Sequence, residues 1–207
     1  FKTAAKGDIL VVISDDEGFN VTLTEACYIN AMDSTGWSYN FWKCYQNGLP
    51  SLAEMQSYKA VVWQVGFEHY PPFDDSERAL ITNYNNGGGR LWIQSHDVAW
   101  AFGDTALSDF YSAAANAWMQ AQCKITWQTD PTTWATNTGI TGDPISQAYT
   151  AGIAYYPVRD GGAGDEINSV AAGGTANYVW RSTDGSPDDI AIRWVSSQNN
   201  GTTGIGT

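Results

Sequence analysis

The sequence contains few of the residues that carry most metal and nucleophile chemistry. Its 207 residues include only 2 histidines and 3 cysteines. The cysteines, Cys27, Cys44 and Cys123, show no C-x-x-C spacing and have no histidine partners, which argues against a zinc site. Two states of the thiols remain open. One is a disulfide plus one buried thiol in an oxidising compartment; the other, which we favour, is three buried free thiols.

Positive charge is also scarce, with 10 Lys and Arg residues against 22 Asp and Glu residues and a formal net charge of −12. A surface this negative repels phosphate backbones, so we expect no nucleic-acid partner. Cations such as Ca²⁺ are attracted to it instead. The sequence has no apolar run of the length that crosses a bilayer, so we expect no membrane span.

Aromatic residues are abundant: they make up 14% of the chain and include 10 Trp and 11 Tyr. Many aromatics with few lysines are typical of a rigid extracellular domain and consistent with a sugar- or protein-binding surface. Two N-x-Thr triplets predict glycosylation at Asn20 and Asn200, and hence an extracellular or cell-surface location. The start at Phe1, without a signal peptide, suggests a processed or excised chain. The length fits one domain over residues 1–207.

Strand and helix patterns alternate regularly over residues 8–97. The predicted strands are Asp8–Ser14, Tyr39–Cys44, Ala60–Gly66 and Arg90–Gln94, and the predicted helices run from Thr22 to Met32, from Pro50 onward and from Asp74 to about Asn85, where Gly87-Gly88-Gly89 ends the last. Such repeats imply right-handed crossovers, a mainly parallel sheet and helices on both faces. The fold class is therefore α/β.

The second half of the chain is less regular. We predict a helix over Thr105–Gln120, a strand over Lys124–Trp127, a hairpin-like pair from Tyr178–Arg181 and Ile190–Val195, and a terminal loop over Ser196–Thr207. Between them, Asp130–Gly174 is either a functional loop or contains strands too short to recognise.

The most informative site candidates follow the fourth strand, as Ser95-His96-Asp97. Ligands of open α/β sheets gather beyond the carboxyl ends of the strands. A hydrolytic triad, however, needs residues that converge in space, and adjacent residues point in different directions. A nucleophile elbow also needs small neighbours, which Gln94 and Asp97 are not. We therefore expect Ser95 and Asp97 to cap the following segment and His96 to pack at the sheet edge.

Other polar residues are expected at the same edge. Glu68 and His69 follow the third strand and, with His96, are expected to line a cleft that contains Trp63 and Trp100. The ligand-binding candidates are thus Glu68, His69, Ser95, His96, Asp97 and Trp100. Asp15 and Asp16 follow the first strand, where clustered carboxylates either bind a hard cation such as Ca²⁺ or cap nearby amides. The Asp/Gly stretches Asp160–Glu166 and Asp184–Asp189 lack EF-hand spacing and predict turns, with at most a weak Ca²⁺ site.

Several of these segments resemble a known family. They are Ile9–Gly18, Tyr58–Trp63, Gly87–Asp97, Thr141–Ser146 and Ala191–Arg193. Together they resemble the class I glutamine amidotransferase-like domain, in the divergent form of secreted and cell-surface proteins that often accompanies extracellular peptidases. The resemblance implies a flavodoxin-like three-layer sandwich with a loop- and β-rich C-terminal part.

The chain departs from that family in two ways. Catalytic members carry cysteine in a Gly-x-Cys-x-Gly elbow after the fourth strand, followed by later His and Glu residues. The matching stretch here is Gln94-Ser95-His96, and no histidine follows, so no catalytic residue carries over. Such domains also usually end with a further apolar strand and helix, whereas this chain stops at Thr207, so we expect either that the segment is a fragment or that another chain completes the sheet.

These observations favour a non-catalytic extracellular structural or binding module of a larger cell-surface or secreted protein. One alternative is a degenerate hydrolase or carbohydrate-binding domain that uses the cleft at the carboxyl ends of the strands. Another is a subunit of an extracellular filament or surface assembly, in which Ser196–Thr207 pairs with a neighbour's sheet edge. The expected partners are other domains or subunits of a surface protein and glycans, with no cofactor beyond Ca²⁺.

Overall fold

The computed structural model describes residues 7–14, 21–66, 71–95, 97–106, 108–129, 136–142, 147–149, 153–154, 165–169, 174–182, 189–196 and 202–206. The strands are β1 (Ile9–Ile13), β2 (Tyr39–Lys43), β3 (Ala60–Gly66), β4 (Leu91–Ser95), β5 (Ile125–Thr129), β6 (Thr136–Gly139), β7 (Ile153–Ala154), β8 (Glu166–Ser169), β9 (Gly174–Ser182), β10 (Asp189–Ser196) and β11 (Thr202–Gly206). The helices are α1 (Val21–Thr35), α2 (Cys44–Asn47), α3 (Leu52–Gln56), α4 (Asp75–Asn86), α5 (Val98–Gly103) and α6 (Ala113–Trp118), with a π-helical turn over Met119–Cys123 and a 3₁₀ turn over Gln147–Tyr149.

The central sheet has the strand order β2-β1-β3-β4-β11-β10-β9-β6-β7. The first five of these strands pair in parallel. Their order matches the flavodoxin-like arrangement, with β11 in the place of the fifth strand. The remaining strands pair antiparallel, and β8 joins β10 to β5. The α/β flavodoxin-like fold predicted from the sequence, with a β-rich C-terminal part, is confirmed.

Helices cover both faces of the parallel strands. On one face, α3, α4, α5 and α6 bury a continuous apolar cluster against alternate residues of β1, β3 and β4. Its centre is aromatic: the ring centroid of Phe73 lies 6.4 Å from that of Trp63 and 5.4 Å from that of Trp118. On the other face, α1 contacts the sheet through Tyr28. Among the described residues, no helix combines the length and apolar character that crossing a bilayer requires.

Local sequence signals account for the first half of the fold. Asp74 Oδ1 accepts a hydrogen bond from Glu77 N (2.8 Å) and Glu77 Oε2 accepts one from Asp74 N (2.9 Å), which is the capping box that begins α4. Gly88, with a φ of 85°, follows the end of this helix in the left-handed region. The next residue, Gly89, lies so close to Tyr84 that an added Cβ would be 2.3 Å from its ring. The predicted end of α4 at the three glycines is confirmed.

The predicted helix over Thr105–Gln120 is wrong in its first half. The segment Val98–Gly103 forms α5 instead, and α6 begins only at Ala113, where Ser112 Oγ accepts a hydrogen bond from Ala115 N (3.0 Å). Between the two helices, Ser108 Oγ donates to Ala101 O (2.7 Å). Serine side chains that bond to nearby backbone groups compete with helix formation, which explains the interruption.

The terminal segment is not the predicted loop, since Thr202–Gly206 forms β11. This strand pairs in parallel with β4 and antiparallel with β10, so hydrogen bonds on both sides hold a segment whose two glycines disfavour strand formation. The predicted hairpin is confirmed as β9 and β10. In the stretch from Asp130 to Gly174, the alternative of strands too short to recognise is confirmed by β6, β7 and β8.

None of the three cysteines forms a disulfide, as favoured from the sequence, but they are not all buried. Cys27 is exposed and Cys44 is half-buried, so the predicted burial of these two thiols is wrong. Cys123 is buried in the cluster beneath α6, and burial raises the pKa of its thiol to about 12. Cys123 therefore behaves as a small apolar core residue.

Candidate functional site

Ser95 ends β4 at the place where a nucleophile of this architecture would lie. Its side chain points to the same face of the strand as Leu91 and Ile93, which is the face beneath the helices α3 to α6. Only 2% of Ser95 is exposed, and its Oγ has no hydrogen-bond partner within the described part of the chain. The hydroxyl is therefore a core group.

Ser14, at the end of β1, offers a direct comparison because it lies on the same face of the sheet. It is 7% exposed, and its Oγ accepts a hydrogen bond from Trp63 Nε1 at 2.9 Å. Its own N–H donates to Gln64 O at 2.9 Å. The two serines thus occupy similar positions on strands either side of β3, with one hydroxyl bonded to the indole and the other without a described partner.

The predicted capping of α5 by Ser95 and Asp97 is wrong. Asp97 occupies the N-cap position, but its side chain makes no capping hydrogen bond. The cap comes instead from Asp165, which is fully buried: Oδ2 accepts from Ala99 N (2.7 Å) and Oδ1 accepts from Trp100 N (2.8 Å). A carboxylate at a helix N-terminus satisfies amides that otherwise lack partners.

Sequence reasoning missed the role of Asp165. It belongs to the Asp/Gly stretch that we predicted as a turn, and it lies 65 or 66 residues from the amides it binds. No local pattern relates a carboxylate to a helix so far away. These two hydrogen bonds connect the segment before β8 to the helix α5, which follows the carboxyl end of β4.

The two tryptophans predicted to lie in the cleft differ in their burial. Trp63 is fully buried in the core, so it does not line a solvent-accessible cleft. Trp100 is half-buried, packs against the same cluster and donates its backbone N–H to Asp165. The other predicted members of the edge lie outside the described residues, namely Glu68, His69 and His96.

The predicted cation and glycosylation sites also lie outside the described part of the chain, at Asp15, Asp16, Asn20 and Asn200. Among the residues that are described, no group of three His, Cys, Asp or Glu side chains lies close enough together to hold a metal ion. Calcium binding by Asp15 and Asp16 stays a prediction from the sequence. The melting temperature of the chain with and without Ca²⁺ would test it.

A polar cluster that the sequence did not indicate lies on the opposite face of the sheet. The Tyr28 hydroxyl, on α1, donates to Oε1 of Gln64 (2.9 Å) and to Oε1 of Gln94 (2.5 Å). A phenol has a single proton, so the two bonds share it. Burial, with a smaller contribution from Cys27, raises the pKa of Tyr28 above its ordinary value. The phenol therefore stays protonated at neutral pH and remains a hydrogen-bond donor.

The fold is shared with proteins of very different sequence. No protein-family model matches the chain, and no curated protein matches it. A putative ThuA-like protein from Bacteroides uniformis superposes with a TM-score of 0.60 at 8% identity, over 100% of this chain and 84% of its own. The chain shares the α/β fold of this protein. The mmIFT52 N-terminal domain superposes with a TM-score of 0.58 at 12% identity, over 96% of this chain and 85% of its own.

At these identities, the two likenesses concern the fold alone. The ThuA-like neighbour supports the amidotransferase-like fold that the sequence resembles, at the level of an α/β sheet with helices on both faces. Neither neighbour bears on which residues are functional, since shared architecture supports many unrelated chemistries.

Proposed function

We propose that the chain is a non-catalytic module, with a structural or binding role, of a larger cell-surface or secreted protein. The observation that carries this proposal is the burial of Ser95. A serine nucleophile has to be reached by its substrate and has to donate its proton to a nearby base. Ser95 is 2% exposed, and its Oγ has no partner among the described residues that could act as that base.

Two further observations support a modular role. One structural neighbour is, by its name, the N-terminal domain of a longer protein, so this fold is used as one part of a larger chain there. The composition supports the surface location, because the chain combines a net charge of −12 with 10 Trp and 11 Tyr residues. Binding partners would then be other domains, subunits or glycans.

The structure gives less support to a filament in which the terminal segment joins neighbouring molecules. In such a filament, Thr202–Gly206 would pair with the sheet edge of the next molecule. Both edges of this strand are already hydrogen-bonded, to β4 on one side and to β10 on the other. A neighbour could pair with it only after one of these ladders opened.

A panel of hydrolase assays tests the proposal. We expect the purified chain to leave glutamine, p-nitrophenyl esters and casein peptides intact, and we expect Ser95→Ala to behave as the unmodified chain does. Ser14→Ala serves as the control, since it removes a buried hydroxyl on the same face. Hydrolysis of any of these substrates that is lost in Ser95→Ala and retained in Ser14→Ala would show that the proposal is wrong.

A further inference from the structure

An interior strand of the sheet carries an exposed side chain. The strand β4 pairs with β3 on one side and with β11 on the other. Interior strands of a parallel sheet are normally buried on both faces. Gln94 is nevertheless exposed, and Trp92, two residues earlier and thus on the same face, is only half-buried. The face of β4 that lies opposite Ser95 is therefore incompletely covered.

The strand register explains why this face is open. Gly204 pairs with Trp92, and Gly206 pairs with Gln94. Glycine adds no side chain to either face, so β11 places no side chain beside Trp92 or Gln94 at these two register positions. Glycine inside a strand often marks a place where a ligand approaches closely. We call this feature the β4–β11 trough and define it by Trp92, Gln94, Gly204 and Gly206.

The polar groups that the described residues place at the trough, those of Gln94, Gln64 and Tyr28, are uncharged and held in place. Gln94 shares the Tyr28 hydroxyl with Gln64, its register partner on β3, so its amide is oriented before any ligand arrives. The charged residue of α1 nearest to Tyr28 in sequence is Glu25, and it forms a salt bridge with Lys43 at 2.6 Å. The trough thus offers the half-buried indole of Trp92, an oriented amide and a phenol.

We propose that the β4–β11 trough binds a neutral saccharide. The apolar C–H face of a sugar ring would lie on Trp92, and its hydroxyl groups would exchange hydrogen bonds with the Gln94 amide, while the glycines admit the ring close to the backbone. The net charge of −12 disfavours anionic ligands. This saccharide site rests on the binding role proposed above.

Two other occupants fit the trough less well. An added peptide strand needs a free sheet edge, and both edges of β11 are paired. An apolar helix of a partner or a second copy would bury the Gln94 amide without enough hydrogen-bond partners, which costs free energy. A saccharide satisfies both the amide and the indole.

Titration calorimetry of the full chain with cellohexaose, maltohexaose, mannohexaose and chitohexaose tests the proposal. We expect at least one of these to bind in the millimolar range or more tightly. Gln94→Ala should then weaken binding about tenfold, the equivalent of one lost hydrogen-bonding group. Trp92→Leu should abolish binding. The matched control is Gln128→Ala, which removes an exposed glutamine on the strand β5.

The outcomes separate the two proposals. The proposal that the trough binds a saccharide is wrong if none of the four sugars binds, or if neither Gln94→Ala nor Trp92→Leu changes the binding. It is also wrong if light scattering shows a dimer that Trp92→Leu dissociates. If Trp92→Leu unfolds the chain, Gln94→Ala decides alone, because its side chain is exposed. None of these results affects the Ser95 assays, whereas hydrolysis lost in Ser95→Ala overturns the non-catalytic role and leaves the trough intact.

Discussion

Asp165→Ala is expected to lower the free energy of unfolding by about 3 kcal/mol, because two amide groups near the start of α5 lose their acceptor. Ala99 is fully buried, so its N–H cannot turn to water when the carboxylate is removed. The bonds are charge-assisted and lie at a helix N-terminus, which makes each stronger than a neutral bond. For a chain of this length the melting temperature should fall by about 6 to 12 °C.

Urea denaturation checks this expectation, with Ser112→Ala as the matched control. Ser112 is an exposed N-cap that bonds one amide of α6, and its loss should cost about 1 kcal/mol. Asp165→Asn should fall between the two, because its amide retains one acceptor oxygen. A loss for Asp165→Ala no larger than that for Ser112→Ala would mean that the carboxylate does not hold α5 in place.

Phe73→Ala should lower the free energy of unfolding by about 4 kcal/mol. The ring is fully buried and packs between Trp63 and Trp118, so alanine leaves a large cavity at the centre of the core. It also loses the aromatic contacts, which add to the area buried. Guanidinium denaturation followed by tryptophan fluorescence measures the loss directly.

Two variants set the scale for Phe73. Tyr45 is 44% exposed, so Tyr45→Ala should change stability by about 0.5 kcal/mol or less. Phe73→Leu keeps most of the buried volume and should lose clearly less than Phe73→Ala. Equal losses for Phe73→Ala and Tyr45→Ala would contradict a core that packs α4 and α6 onto β3 through this ring.

The sequence predicts those parts of the fold whose signals are local. The capping box of α4 lies within four residues, the buried strand β1 is a continuous apolar run, and the polar side chain in β3 is that of Gln64. The terminal strand β11 has no such signal, since its glycine-rich sequence is a strand only because β4 and β10 lie on either side of it. Pairing partners distant in the chain cannot be read from local propensity.

The geometry of the candidate site also depends on contacts between residues that are distant in the sequence. The sequence predicts that Ser95 lies at the carboxyl end of a strand. Whether its side chain is buried depends on the face of the sheet to which it points and on the helices that pack on that face. Neither the cap from Asp165 nor the contact of Tyr28 with two glutamines follows a spacing rule, because each joins residues at least 36 positions apart. What the sequence does establish is the absence of the elbow cysteine and of a later histidine.

The most direct test of the account is the stability of Ser95→Ala compared with that of Ser14→Ala. Ser14→Ala leaves the buried indole N–H of Trp63 without its acceptor and should cost about 1 to 2 kcal/mol. Ser95→Ala removes a buried hydroxyl that has no partner in the described residues, so stability should stay the same or rise by up to about 1 kcal/mol. A loss for Ser95→Ala as large as that for Ser14→Ala would contradict the account, because it would mean that the Ser95 hydroxyl is hydrogen-bonded and is not an unpartnered core group.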